Sequence, residues 1–296
     1  MMAAVGSAIS QPLMSTLLGC GMSWRTLFPL FSILGVIWVV VWFWWFRDNP
    51  HDHSSVNEAE LVQIGCAPPS SSHSSVPWRH LLGSRNVLAL CLLCGSWLYG
   101  WYFWLLWLPS YLLRAHNFDL KQAGWLSMFP LLCSAAGMFL GGWLSDVFSR
   151  KWGPAKGRRA PGLMFLPLSV VTIIAAVLTP QPMMVALLLS LAAGFAAMGI
   201  TPIFAVCLEI GGKHAGVVSG TMNMIGNLFG MLTSLVVGWC LHYSPSQGWN
   251  IALFIIAGFY LVAAAGWLFI DPTIRIEGAT ESAVSTEMIK EEPLST

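Results

Sequence analysis

Polar side chains recur at four-residue spacing within one long apolar segment of the sequence. Ser219, Asn223 and Asn227 all lie between residues 215 and 241, and in a helix this spacing puts them on one face. An amide in hydrocarbon is costly without a partner, and either a watery cavity or a neighbouring helix would provide one. In the first case the hydroxyl and amide groups would bind a small, oxygen-rich solute, and in the second they would only hold helices together.

Two other polar residues interrupt apolar segments. Tyr102 lies within residues 87–112 and Gln11 within the first apolar segment. A tyrosine offers a flat face for a sugar ring and a hydroxyl for its oxygens, but aromatic residues also pack between helices and line membrane interfaces. The amide of Gln11 fits solute binding and helix packing equally well.

A short charged motif follows a glycine pair near the middle of the chain. Gly142 is followed by Asp146, and Arg150 and Lys151 come one helical turn later. An acidic residue at a helix end pairs with basic residues one turn away and is attracted to the positive N-terminal end of a neighbouring helix. The motif therefore predicts a latch that forms and breaks as helices move, with Asp146 paired to Arg150 or Lys151.

The sequence gives no basis for other kinds of chemistry. No spacing of histidines and cysteines fits a metal site, and no nucleophile is accompanied by a base. The 13 Asp and Glu residues all lie in loops, in the tail or at segment ends, so no carboxylate is left inside a segment for proton coupling. A net charge of +1 does not favour nucleic acid. We expect no enzyme activity, cofactor or metal, and a monomer.

The elements that position these residues are membrane-spanning helices. Hydrophobic residues make up 56% of the 296 residues and charged residues only 9%, too few charges for a water-soluble surface. The apolar residues fall into blocks of about 20, the length that crosses a bilayer. The predicted spans are 2–20, 25–46, 87–112, 122–145, 160–179, 183–208, 215–241 and 249–270.

The basic residues predict the orientation of these spans, because Lys and Arg are retained on the cytoplasmic side. Numbering the loops alternately puts eleven basic residues on one side and three on the other. The first set is Arg47, Arg79, Arg85, Arg150, Lys151, Lys156, Arg158, Arg159, Lys213, Arg275 and Lys290; the second is Arg25, Arg114 and Lys121. Both termini are therefore expected in the cytoplasm.

Three stretches together resemble one transporter family. They are Ser23-Trp24-Arg25 with residues 44–60, Tyr102-Phe103-Trp104 with Trp107-Leu108-Pro109-Ser110-Tyr111, and the motif from Gly141 to Lys151. In this order they are similar to the anion:cation symporters of the major facilitator superfamily. The resemblance implies an all-α integral membrane fold whose eight helices correspond to helices five to twelve of a twelve-helix fold, and an N-terminally truncated chain.

The resemblance also implies a domain organisation and a function. Residues 1–46 would be the last two helices of an N-terminal bundle, 47–86 a cytoplasmic linker, 87–272 a C-terminal six-helix bundle, and 273–296 a disordered cytoplasmic tail. The expected function is alternating-access transport of small organic anions, such as sugar acids, with cation (proton) symport at the plasma or inner membrane. The expected partners are that anion and the lipid bilayer. The alternative is a truncated membrane protein without transport activity.

Overall fold

Helices make up the regular structure of the protein. The computed structural model describes residues 2–48, 50–64 and 78–272, and within these ranges it contains helices and turns but no strand. The first helices are α1 (Met2–Gly19), α2 (Trp24–Trp45), α3 (Glu58–Ile64) and α4 (Trp78–Gly83). The others are α5 (Arg85–Tyr102), α6 (Leu108–His116), α7 (Leu120–Trp152), α8 (Pro154–Leu178), α9 (Pro182–Ile200), α10 (Pro202–Gly211), α11 (Ala215–Tyr243) and α12 (Gly248–Gly266). The predicted all-α class is confirmed.

Among the described residues, seven helical segments are long and apolar enough to cross a membrane. They match the predicted spans except the first, because α1 is helical but carries several serines and Gln11 along its 18 residues. The segment 182–211 crosses as one span although it divides into α9 and α10 at Thr201. The division falls there because Pro202 has no N–H to continue the hydrogen-bond ladder.

The chain forms two compact units, one of residues 1–16 with 77–296 and one of residues 17–76. In the second unit, Ser23 caps α2 by accepting a hydrogen bond from the Arg25 N–H, and Trp42 stacks on Phe46 at the other end of that helix. The predicted domain boundaries at residues 46 and 86 stay a prediction. The predicted tail, 273–296, and most of the polar part of the linker lie outside the described residues.

Small residues bring the helices of the first unit close together. A side chain added at Gly137 or Gly141 of α7 would overlap the backbone of α9 at Gly194 or Met198, so these glycines allow direct backbone contact. The Ser134 and Ser169 hydroxyls donate to the carbonyls of Ala193 and Ala192, at 3.2 and 2.7 Å. The helix α9 therefore lies between α7 and α8 and is held by both.

The segment from α5 to α6 is one long helix with an irregular middle. A π-helical turn, Phe103–Trp107, separates the two parts, and Pro109 follows it. Because Pro109 has no N–H for the Leu105 carbonyl, that carbonyl accepts a hydrogen bond from the Gln11 side chain of α1 at 3.4 Å. Before the turn, the Thr233 hydroxyl of α11 donates to the Tyr99 carbonyl at 2.7 Å. Neighbouring helices thus supply partners for carbonyls of the irregular segment.

The two ends of this unit differ in charge. The start of α5 meets the chain after α12, where the Asn86 side chain donates to the Asp271 carbonyl at 2.8 Å and accepts from the Asp271 N–H at 2.9 Å. The end of α7 and the start of α8 lie at this same end, together with Arg85, Arg150, Lys151, Lys156, Arg158 and Arg159. We call it the basic end.

Candidate functional site

Three of the predicted site residues form one chain of hydrogen bonds. The Tyr102 hydroxyl donates to Oδ1 of Asn227 at 2.6 Å. The Nδ2 group of Asn227 donates to Oδ1 and to the carbonyl oxygen of Asn223, at 2.7 and 2.8 Å. The helix α11 positions the two asparagines one turn apart, and the last residue of α5 supplies the tyrosine. We call these three residues the Tyr–Asn array.

The Tyr–Asn array lies on a face of α11 that no other helix of the first unit covers. Both asparagines are exposed and Tyr102 is half-buried. The Tyr102 ring packs directly over Gly230, where a side chain would overlap it, so the tyrosine is held by the helix that carries the asparagines. Within the described residues the Asn223 Nδ2 group donates no hydrogen bond, which leaves its two N–H donors available to an acceptor.

The other two predicted binding residues lie apart from the array. Ser219 is half-buried near the start of α11, although its four-residue spacing places it on the side of the asparagines. Gln11 bonds to the Leu105 carbonyl, which gives its amide a structural partner. Neither residue takes part in the hydrogen bonds of the array.

The charged motif forms a cluster around an arginine that the motif did not include. Arg158 Nη1 lies 2.6 Å from Asp146 Oδ1 and 3.2 Å from the Ser145 hydroxyl. Its Nε and Nη2 atoms donate to Glu209 Oε1 at 3.0 and 2.8 Å. We call Asp146, Arg158 and Glu209 the charge cluster. It joins the end of α7, the start of α8 and the end of α10.

The prediction that Asp146 pairs with Arg150 or Lys151 is wrong. Within residues 2–48, 50–64 and 78–272 the ion pairs are those of Arg158, and Arg150 and Lys151 are exposed. The reason is the turn at Gly153, whose φ of 81° suits glycine and folds α8 back beside α7. Arg158 thereby faces Asp146 directly, with only 17% of its side chain exposed.

The glycine of the motif also has a smaller role than its neighbour. A side chain at Gly142 would meet only the Thr201 methyl group at 3.7 Å, an ordinary contact, whereas one at Gly141 would overlap the Met198 carbonyl. Gly141 is therefore the residue that permits close packing of α7 against α9.

The motif and the polar stripe did not include two other residues near this cluster. Glu209 belongs to the charge cluster, and His214 is buried. A signal for Glu209 was present, since it is the one acidic residue in the apolar segment 182–211. Arg158 could have been predicted as the partner of Asp146, because a tight turn at Gly153 brings the two helices that carry these residues side by side.

Comparison with known proteins agrees with this arrangement of helices. The chain is 31% identical over 289 residues to a probable sulfoacetate transporter of Cupriavidus necator, covering 95% of this chain and 65% of that protein. It is 27% identical to a probable galactarate/D-glucarate transporter of Bacillus subtilis, covering 90% and 60% of the two chains. The chain thus spans 60–65% of the length of these relatives, less than two thirds.

The same fold is found in a solved structure. A bacterial homologue of the human lysosomal transporter Spinster, in an inward-facing conformation, superposes with a TM-score of 0.57 at 16% identity, covering 89% of this chain and 67% of that one. The sequence profile of the Major Facilitator Superfamily matches residues 1–234. These matches confirm the predicted helical bundle and the prediction that the protein is not an enzyme. The seven apolar helical segments among the described residues, with the close backbone packing at Gly141, are those of a multi-pass membrane protein. Because the profile matches most of its length, the chain belongs to the Major Facilitator Superfamily.

Proposed function

We propose that this protein acts in transport of a small organic anion and that the Tyr–Asn array contacts that anion. The carrying observation is the hydrogen-bonded chain from Tyr102 through Asn227 to Asn223 on an uncovered face of α11. The relatives named as transporters of sulfoacetate and of galactarate or D-glucarate support an anionic, oxygen-rich solute. These solutes carry several acceptor oxygens that suit amide donors.

The array supplies orientation rather than charge. Tyr102 fixes the amide plane of Asn227 by donating to its oxygen, and Asn227 in turn donates to the oxygen of Asn223. This order leaves the nitrogen of Asn223 facing outward as a donor. A carboxylate or hydroxyl oxygen of the solute would accept a hydrogen bond from this nitrogen. The solute would then satisfy an amide that hydrocarbon would leave unsatisfied.

The charge cluster serves in this proposal as a latch for alternating access. It ties three helix ends together at the basic end through one arginine, and its breakage would let those ends separate. The proposal places the basic end and both termini in the cytoplasm of a cell whose plasma or inner membrane holds the protein, because of the bias in Lys and Arg. We also retain the division expected from the resemblance, in which residues 1–46 are two helices of an N-terminal bundle, 47–86 a linker and 87–272 a six-helix bundle.

Replacement of Asn223 by aspartate tests the array. The variant has nearly the same shape but exchanges the outward donors for a negative oxygen, so an anionic solute loses a hydrogen bond and meets a like charge. We expect the dissociation constant for D-glucarate or sulfoacetate, measured by equilibrium binding to the purified protein, to rise at least about tenfold.

The matched control is Asn250→Asp. Asn250 is an exposed asparagine in the first turn of α12, whereas the array lies within the spans of α5 and α11. The control should bind the same anion as the unmodified protein does. Unchanged binding by Asn223→Asp, or tighter binding of a cation instead, would remove the array from the anion site.

A second test concerns the coupling ion. Proton coupling needs a group that changes its charge within the pathway, and the carboxylates that lie within the described spans, Asp146 and Glu209, both pair with Arg158. We therefore expect residues 1–296 in proteoliposomes to show no accumulation of the anion above its outside concentration under an imposed proton gradient. Accumulation that collapses with a protonophore would contradict this prediction.

A further inference from the structure

A separate cavity lies at the basic end, on the side where α12 ends. Its volume is about 310 Å³. It is lined by the first turn of α5, the second turn of α8 and the chain after α12. The lining includes Ser84, Arg85, Asn86, Arg159, Phe269 and Asp271. The Tyr–Asn array and the charge cluster contribute none of these residues.

Two arginines, Arg85 and Arg159, face this cavity. Among the described residues neither Arg85 nor Arg159 forms an ion pair within 4.0 Å, in contrast to Arg158 beside them. The Nε atom of Arg159 is buried and has no hydrogen-bond acceptor, and a buried donor left unpaired is unfavourable. The guanidinium of Arg85 lies over the Phe269 ring at 5.3 Å, which holds it at the wall of the cavity.

The rest of the lining adds donors and fixes the shape. Ser84 precedes α5 but its side chain makes no capping hydrogen bond, so N–H groups of the first turn remain open to a ligand. The Asn86 side chain makes two bonds to the Asp271 backbone, which hold the chain after α12 against the start of α5. The acidic residue among the lining residues is Asp271.

We propose that this cavity binds a phosphate group. A phosphate presents several acceptor oxygens to two planar guanidinium groups, and the uncapped start of an 18-residue helix adds aligned N–H donors. The group comes from free phosphate or from the headgroup of an anionic phospholipid. Leu268 and Phe269 are exposed beside the cavity, and they form an apolar border along which an acyl chain would lie.

Native mass spectrometry of the full chain in detergent micelles tests the proposal. Phosphatidylglycerol and inorganic phosphate are the two probes, titrated separately. We expect one retained adduct with the unmodified protein, and an affinity about fivefold lower in Arg159→Gln and in Arg85→Gln. Lys156→Gln is the control, because it removes the same charge from an exposed position at the same end and should leave the affinity unchanged.

The outcomes separate the sources of the phosphate. An arginine-dependent adduct with phosphatidylglycerol alone identifies a lipid site, and one with inorganic phosphate identifies a site for the free ion. Equal binding by all variants, an equal loss in Lys156→Gln, or no retained adduct with either probe overturns the proposal. Circular dichroism of Arg159→Gln checks its helix content, and Arg159→Lys, which retains the charge, should recover part of the affinity if the variant is folded.

Discussion

Replacement of Gly141 by alanine should lower the stability of the protein, whereas the same change at the adjacent Gly142 should not. The added methyl group at Gly141 overlaps the Met198 carbonyl oxygen of α9, so α7 and α9 must move apart along a contact that also includes Gly137. Overpacking of this kind costs about 1–3 kcal/mol in the free energy of unfolding. In a chain of this size that corresponds to a melting temperature several degrees lower, at about 2–4 °C per kcal/mol.

The pair of neighbouring glycines makes this a controlled measurement. At Gly142 the methyl group would lie 3.7 Å from the Thr201 methyl group, and alanine also favours the helix over glycine by about 1 kcal/mol. Thermal unfolding of both variants in detergent, followed by tryptophan fluorescence, should therefore separate them clearly. Equal melting temperatures would show that α7 and α9 do not pack through Gly141.

Replacement of Arg158 by glutamine should destabilise the basic end. It leaves Asp146 and Glu209 without their shared cation, and two carboxylates that had converged on one guanidinium then repel each other. Because the Asp146 side chain is 59% exposed and that of Glu209 34%, the loss lies between that of a surface pair and that of a buried one. We expect about 1–3 kcal/mol of unfolding free energy.

The control is Arg150→Gln, which removes the basic residue that the motif itself suggests. Arg150 makes no ion pair among the described residues and is exposed, so its loss should change the unfolding free energy by no more than about 0.5 kcal/mol. The difference between the two variants should shrink in high salt, since the cluster is partly exposed. A larger loss of unfolding free energy in Arg150→Gln than in Arg158→Gln would show that Asp146 pairs with Arg150, as the motif predicts.

The lengths of the spans and the face shared by the asparagines could be predicted from the sequence. Block length and helical period act locally, so the segment 215–241 and the alignment of Asn223 with Asn227 follow from the residues themselves. Ser219 shares the spacing but takes no part in the hydrogen bonds of the array. Its half-buried position depends on how the chain reverses between α10 and α11.

Partners across the fold could not be predicted in the same way. The Gly216 and Gly220 pair has the spacing of Gly137 and Gly141, yet a side chain at either would meet only open space among the described atoms. Spacing identifies a smooth helix face but not whether another helix lies on it. The partner of Gln11 likewise depends on Pro109, because that proline frees a carbonyl 94 residues away from Gln11 in the sequence.

The irregular middle of the α5–α6 helix gives this protein a hinge. An uninterrupted helix resists rotation of one half against the other because its ladder of backbone hydrogen bonds must break first. Here the π-helical turn shifts the ladder, and Pro109 leaves the Leu105 carbonyl without its helical donor. Gln11 donates to that carbonyl inside the turn, and Thr233 donates to the Tyr99 carbonyl before it. Since Tyr102 is the last residue before the turn, a swing of the outer half would change the surroundings of the Tyr–Asn array while leaving its hydrogen bonds to α11 intact.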